Sequence, residues 1–178
     1  MIADPSMMNP SACSTSAAST APPAAAAAIA RQYLSFTLGD ERYAVDILNV
    51  QEIRRFESVT FVPDAPACIK GVINLRGVIV PVMDLRLKLG MAAVDYDHFT
   101  VMIVLTIGPR VIGIVVDSVC DVIELDPHHI LPPPEFSGAM DSRVISGIST
   151  VDGHMVIVLD SQHLTESSTP MAIDALPK

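Results

Sequence analysis

The stretch "GVINLRGVIVPVMD", residues 71–84, has a second version further along the chain, "GISTVDGHMVIVLD", residues 147–160. Gly71 falls on Gly147, Gly77 on Gly153, Val82 on Val158 and Asp84 on Asp160, all at an offset of 76. In each version two apolar runs flank a two-residue tip, Arg76-Gly77 in the first and Asp152-Gly153 in the second. That pattern reads as a β-hairpin. A tight two-residue loop needs positive φ at both central positions, which Gly, Asn and Asp reach most easily. Asp152-Gly153 keeps this rule and Arg76-Gly77 breaks it. Either another turn type tolerates the arginine, or the first copy bears a local cost for function. Both readings stay open on turn chemistry alone.

Outward from the hairpin, the repeat continues. "LGDERYAVDILNVQEI" (38–53) matches "IGPRVIGIVVDSVCDV" (107–122), with Gly39 on Gly108, Val45 on Ile114, Val50 on Val119, Glu52 on Asp121 and Ile53 on Val122, an offset of 69. Two blocks in the same order identify an internal duplication, and the proline-rich segment 131–142 is the expected insertion in the second copy. Strands are expected at 33–38, 42–47, 101–107 and 111–116, those of the second copy apolar on both faces as in a sandwiched core. Asp84 and Asp160 each precede a short helical pattern and read as N-caps, with Gly90 as a C′ residue. Pro81 removes a ladder donor, so its strand is expected to lie at an edge or to bulge there.

About seventy residues make a marginal core, and two copies packed together solve both the small core and the open edges. The expected architecture is therefore all-β, two similar small barrels with a shared seam over residues 32–165. The copies span roughly 32–98 and 99–165, with exchange of strands between them left open. Residues 1–31 read as a disordered tail: twenty of the first thirty are Ala, Ser or Pro, and none is Lys or Arg. That lack of a basic start also argues against a secretory signal. Residues 166–178 read as a flexible end.

The net charge of -9 and pI near 4.8 argue against nonspecific binding to nucleic acid or to anionic membrane. The apolar run at 99–116 is split by Gly108-Pro109-Arg110 into two segments too short to cross a bilayer, so no membrane insertion is expected. Cys13, Cys68 and Cys120 form no CxxC pair and no metal spacing with the histidines, the adjacent pair His128-His129 included. They fit a reducing cytoplasm, and neither a metal nor another cofactor is expected.

The chemistry of catalysis has no local signature. "VVDS" (115–118) and "VLDS" (158–161) resemble the Asp-Ser pairs of a duplicated aspartic protease, but Val119 and Gln162 follow where that site needs glycine. The two aspartates are also not equivalent in the repeat, because Asp117 falls on Leu48. No GxGxxG, P-loop, GxSxG or HExxH is present. A binding protein remains the expectation, with a small hydrolase of dispersed catalytic residues as the reading from another class. Glu52, between Val50 and Ile53, is either a solvated acid near Arg54 and Arg55 or part of a contact face. Phe136, after three prolines, is either a partner anchor or a cap on its own core.

These motifs converge on one family. "VDILNVQEI", "IKGVINLRGVIVPVMDLR" and "VIGIVVDSVCDV" together resemble the CheW-type coupling proteins of bacterial chemotaxis, over nearly all of residues 32–165. The resemblance implies two SH3-like five-stranded β-barrels with short helices. It implies a non-enzymatic adaptor between chemoreceptor cytoplasmic tips and the regulatory domain of a CheA-type histidine kinase, cytoplasmic and recruited to membrane-associated arrays. Val50, Glu52, Ile53, Gly71 and Arg76 match family positions tied to a receptor-binding groove between the barrels, and Phe136 a loop that packs on the kinase. A scaffold of the same fold in another signalling system, such as motility or development, is the related alternative. Arg76, at a hairpin tip, is placed to pair with Glu52.

Overall fold

The repeat predicts matched sets of strands, and the matched sets are present. The computed structural model describes residues 29–93, 95–135 and 142–166. In chain order the elements are β1 (Arg31–Leu38), β2 (Glu41–Asp46), β3 (Val50–Arg55), β4 (Ile69–Leu75), β5 (Val78–Asp84), α1 (Leu85–Lys88), β6 (Val101–Ile107), β7 (Arg110–Val116), β8 (Ser118–Leu125), β9 (Ile145–Val151), β10 (His154–Leu159) and α2 (Ser161–Glu166). They form two five-stranded sheets, ordered β8-β1-β2-β10-β9 and β3-β6-β7-β5-β4. Each is a small barrel.

The sheets do not follow the two halves of the chain. The first sheet joins β1 and β2 to β8, β9 and β10, while the second joins β6 and β7 to β3, β4 and β5. Each copy of the repeat thus lends its opening hairpin to one barrel and its last three strands to the other. A division at residues 98 and 99 describes the repeat in sequence, not the barrels in space. The registers keep the same symmetry. Val158 pairs with Ala44 in the parallel β10–β2 ladder, and its counterpart Val82 pairs with Gly113 in β5–β7. Leu34 pairs with Val122, as Ile103 pairs with Ile53.

Alternation along the strands explains why they are apolar on both faces. Met102 and Val104 of β6 pack inside the second barrel with Val80, Val82 and Val115. Their neighbours Ile103, Leu105 and Ile107 point the other way, into a cluster that also takes Leu34, Phe36 and Leu38 of β1 and Ile112, Ile114 and Val116 of β7. A third cluster, Tyr33, Ala44, Leu125, Val156 and Val158, fills the first barrel. Successive side chains on a strand face opposite sides, so one strand serves a barrel interior and the layer between barrels. The inter-barrel layer is the largest of the three clusters, which makes the barrels one folding unit.

At Pro81 itself the edge-or-bulge expectation holds locally, although β5 is not an edge strand of its sheet. β5 has neighbours on both sides, but its ladder to β7 begins only at Val82. Pro81 faces Val72, whose own N–H and C=O turn outward to Thr60. The proline nitrogen therefore points away from β4, to the side where no ladder has yet started. The helix signals read from sequence hold. Asp84 Oδ1 accepts from Arg86 N at 3.0 Å and Asp160 Oδ1 from Gln162 N at 2.8 Å, capping α1 and α2. Gly90, at φ 75°, ends α1 with Met91 N donating back to Arg86 O at 2.8 Å.

Candidate functional site

The two hairpin tips share one backbone. Arg76 and Gly77 have φ of 51° and 88°, and Asp152 and Gly153 have 50° and 79°. Positive φ at both central residues is a type I′ turn. The first copy holds its arginine in the left-handed region without relaxing into another turn. Two contacts offset the cost: Asn74 Oδ1 accepts from Gly77 N at 2.8 Å, and Arg76 Nη2 donates to Glu52 Oε2 at 3.0 Å. Left-handed φ costs a residue with a Cβ about 1–2 kcal/mol. A typical hydrogen bond returns about 1 kcal/mol and an exposed ion pair about 0–1 kcal/mol. The tip therefore sits near balance.

The Arg76–Glu52 pair spans a gap in the sheet. β3 and β4 are the two edges of the second barrel, and neither pairs with the other. Glu52, Ile53 and Arg54 of β3 face Asn74, Leu75 and Arg76 of the β4 hairpin across a shallow depression. The Arg76 side chain is 77% exposed and that of Glu52 21%, so the glutamate is the seated partner and the arginine the reaching one. Arg54 Nε lies 3.8 Å from the other Glu52 oxygen. Ile53 is 46% exposed, and Val78 and Ile79 just past the tip are also exposed. An ion pair rimmed by exposed aliphatic side chains suits protein recognition more than chemistry.

Of the residues singled out from sequence, Glu52, Ile53 and Arg76 come together here, on the seam of one barrel and not between the two. Val50 is elsewhere: it opens β3 and packs, partly buried, on the inter-barrel cluster. Gly71 is buried and lines no surface. A Cβ there would lie 2.2 Å from the Thr60 carbonyl oxygen, and φ is 155°, so the glycine lets a neighbouring segment pair with β4. Gly147 does the same for Leu131 in the second copy, with a Cβ 2.6 Å from that carbonyl oxygen. Phe136 lies outside the described residues.

Sequence reasoning missed a second polar feature. Asp117 joins β7 to β8, where the chain crosses from one barrel to the other. Its Oδ1 pairs with Arg86 Nη2 of α1, and its Oδ2 accepts from Gly39 N at 2.7 Å in the β1–β2 turn. The Arg86 side chain is 11% exposed. A signal was available in the repeat: Asp117 and Arg86 are charged where their counterparts Leu48 and Gln162 are not. Beneath α1, the buried Asp84 also accepts from the Tyr96 hydroxyl at 2.7 Å. Burial first, and this hydrogen bond second, push the Tyr96 phenol well above its ordinary value.

Comparison with known proteins identifies the family of the chain. A family model described as "CheW-like domain" matches residues 32–169. The chain belongs to the CheW family. It is 45% identical over 150 residues to the chemotaxis protein CheW of Klebsiella aerogenes, covering 84% of this chain and 90% of that one. It is 30% identical to Protein FrzA of Myxococcus xanthus, over 86% of this chain and 98% of that one. Among solved structures, the scaffolding protein TtCheW of Thermoanaerobacter tengcongensis superposes with a TM-score of 0.69 at 33% identity, covering 75% of this chain and 86% of that chain. The CheW-like fold thus accounts for both barrels. Among the described residues no helix is long and apolar enough to cross a membrane.

Proposed function

We propose that this CheW-family chemotaxis protein is a non-enzymatic adaptor that joins chemoreceptor cytoplasmic tips to the regulatory domain of a CheA-type histidine kinase. It works in the cytoplasm, at membrane-associated receptor arrays. The observation that carries the reading is the Arg76–Glu52 pair across the β3–β4 seam. The first copy keeps a costly arginine at a turn where the second keeps the locally preferred aspartate, and the arginine's reward in stability is small. Its use is in orienting a face toward a partner. The apolar rim, Ile53, Val78 and Ile79, supplies the contact area.

The test mixes the full chain with the kinase and receptor fragments, and follows co-sedimentation and kinase autophosphorylation. The expected result is a three-way complex with raised phosphorylation, and absence of binding overturns the reading. Within that assay, Arg76→Ala is expected to change stability by less than about 1 kcal/mol while receptor-dependent activation falls sharply. A large loss of folded protein would make Arg76 structural instead.

A further inference from the structure

The motif that bears Arg76 contains a residue to which the adaptor reading gives no task. Asn74 is exposed and makes no contact with Glu52 that would explain it; its side chain turns to the tip, where Oδ1 accepts from Gly77 N at 2.8 Å. That bond fixes the second half of the turn. The first half is Arg76 at φ 51°, a conformation few side chains adopt freely. From that backbone the guanidinium reaches Glu52 across the seam between β3 and β4. In a relaxed turn the Cα–Cβ bond of Arg76 would leave in another direction, and the reach would fail.

The second copy supplies the contrast. The position equivalent to Asn74 is Thr150, and the tip residue there is Asp152, one of the types that favours left-handed φ. The tip needs no outside hold. At the position of Glu52 stands Asp121, so the second copy has two acids at the two positions where the first copy has an ion pair. Asn and Arg occur together in one copy, and both are absent from the other.

We infer that Asn74 is a positioning residue: its side chain holds the 76–77 turn in the left-handed form that aims Arg76 at Glu52. The effect on partner coupling rests on the adaptor reading, whereas the effect on the turn does not. Asn74→Ala removes the acceptor, and Asn74→Asp keeps it. Thr150→Ala is the matched change in the second hairpin. Two readings are taken on the full chain by NMR: hydrogen exchange of the Gly77 amide, and the HN–Hα coupling that reports φ at Arg76. A third is kinase coupling in the presence of receptor fragments.

In Asn74→Ala the Gly77 amide exchanges about fivefold faster or more, the Arg76 coupling moves away from its left-handed value, and kinase coupling falls by a similar factor. Asn74→Asp restores all three, and Thr150→Ala moves none at residues 76–77. Unchanged exchange and φ in Asn74→Ala overturn the inference, as does an Asn74→Asp variant that behaves like Asn74→Ala. Should Asn74→Ala prove too unstable to study, Asn74→Asp decides alone: wild-type exchange and φ sustain the inference, and altered ones overturn it. A wild-type chain that binds neither partner would sink the adaptor reading while leaving the turn measurements to decide this one.

Discussion

The two barrels use the same backbone plan and differ in where they place charge. At the crossing from β7 to β8, Asp117 ties α1 to the β1–β2 turn through Arg86 and Gly39, while at the equivalent crossing from β2 to β3 the chain shows Leu48, 86% exposed. At the hairpin tips, Arg76 meets Glu52 across one seam, whereas the second copy has Asp152 and Asp121 at the two equivalent positions. The difference teaches that apolar pattern and turns build both barrels, whereas a polar pair occupies only one of two equivalent places. A polar residue present in one copy and missing from the other is therefore the place to look for a role.

The largest test of that comparison is the crossing. Arg86→Ala leaves Asp117 mostly buried beside an empty site, and removing one partner of such a pair is costly. The side chains are 11% and 23% exposed, which lowers the penalty below that of a fully buried pair. The expected loss is about 3 kcal/mol in urea unfolding. Gln162→Ala, the matched change at an exposed position, is expected to cost less than about 0.5 kcal/mol. Equal costs at the two positions would break the comparison.

A middle-sized effect lies beneath the helix caps. Both caps are aspartates, but Asp84 is 2% exposed and holds the Tyr96 hydroxyl, whereas Asp160 is half-buried with His163 Nδ1 3.0 Å from its free oxygen. Tyr96→Phe removes a hydrogen bond to a buried carboxylate and is expected to cost about 2 kcal/mol. The pH dependence has a definite sign. The folded chain holds the Tyr96 proton more tightly than the unfolded chain does, because its phenol is raised above 10.0. That contribution is complete below the unfolded value and fades as pH climbs past it. Tyr96→Phe should therefore shallow the alkaline fall in stability above pH about 10 without abolishing it, since Tyr43 is raised too, by burial and by its bond to Glu41. An unchanged alkaline limb would show that Tyr96 does not stay protonated in the fold.

Much of this was legible in the residues. The hairpins, the caps at Asp84 and Asp160, and the duplication depend on local turn chemistry and period-two patterning, which sequence displays directly. The exchange of strands was not readable. β2–β10 and β5–β7 are parallel ladders between distant segments, and an apolar strand that fits one barrel fits its twin equally well. The site was readable in part. Glu52 and Arg76 stood out because they broke local rules. Asp117 did not, because an aspartate between two strands satisfies every local rule, and only the buried Arg86 reveals what it does. At Gly71 the structure shows close packing on Thr60, and a glycine needed for close packing leaves the same trace in sequence as one needed by a partner.

The smallest effect is the most direct test of the opening contrast between the tips. Arg76→Asn installs the residue that a type I′ turn prefers, while removing the ion pair with Glu52. The first change is worth about 0.5 kcal/mol in favour of folding and the second about 0.5 against, so stability should hardly move. Coupling of receptor to kinase should nonetheless fall as far as in Arg76→Ala, because what is lost is the reach of the side chain. The mirror change, Asp152→Arg, asks whether the second seam can be clasped in the same way. Asp121 is one methylene shorter than Glu52, and Thr150 lacks the amide that holds the first tip, so the new arginine should find no partner. A double-mutant cycle between Asp152→Arg and Asp121→Ala is expected to show a coupling energy below about 0.3 kcal/mol. A larger value would mean that the two seams are interchangeable, and that the arginine in the first copy records an accident of duplication more than a duty.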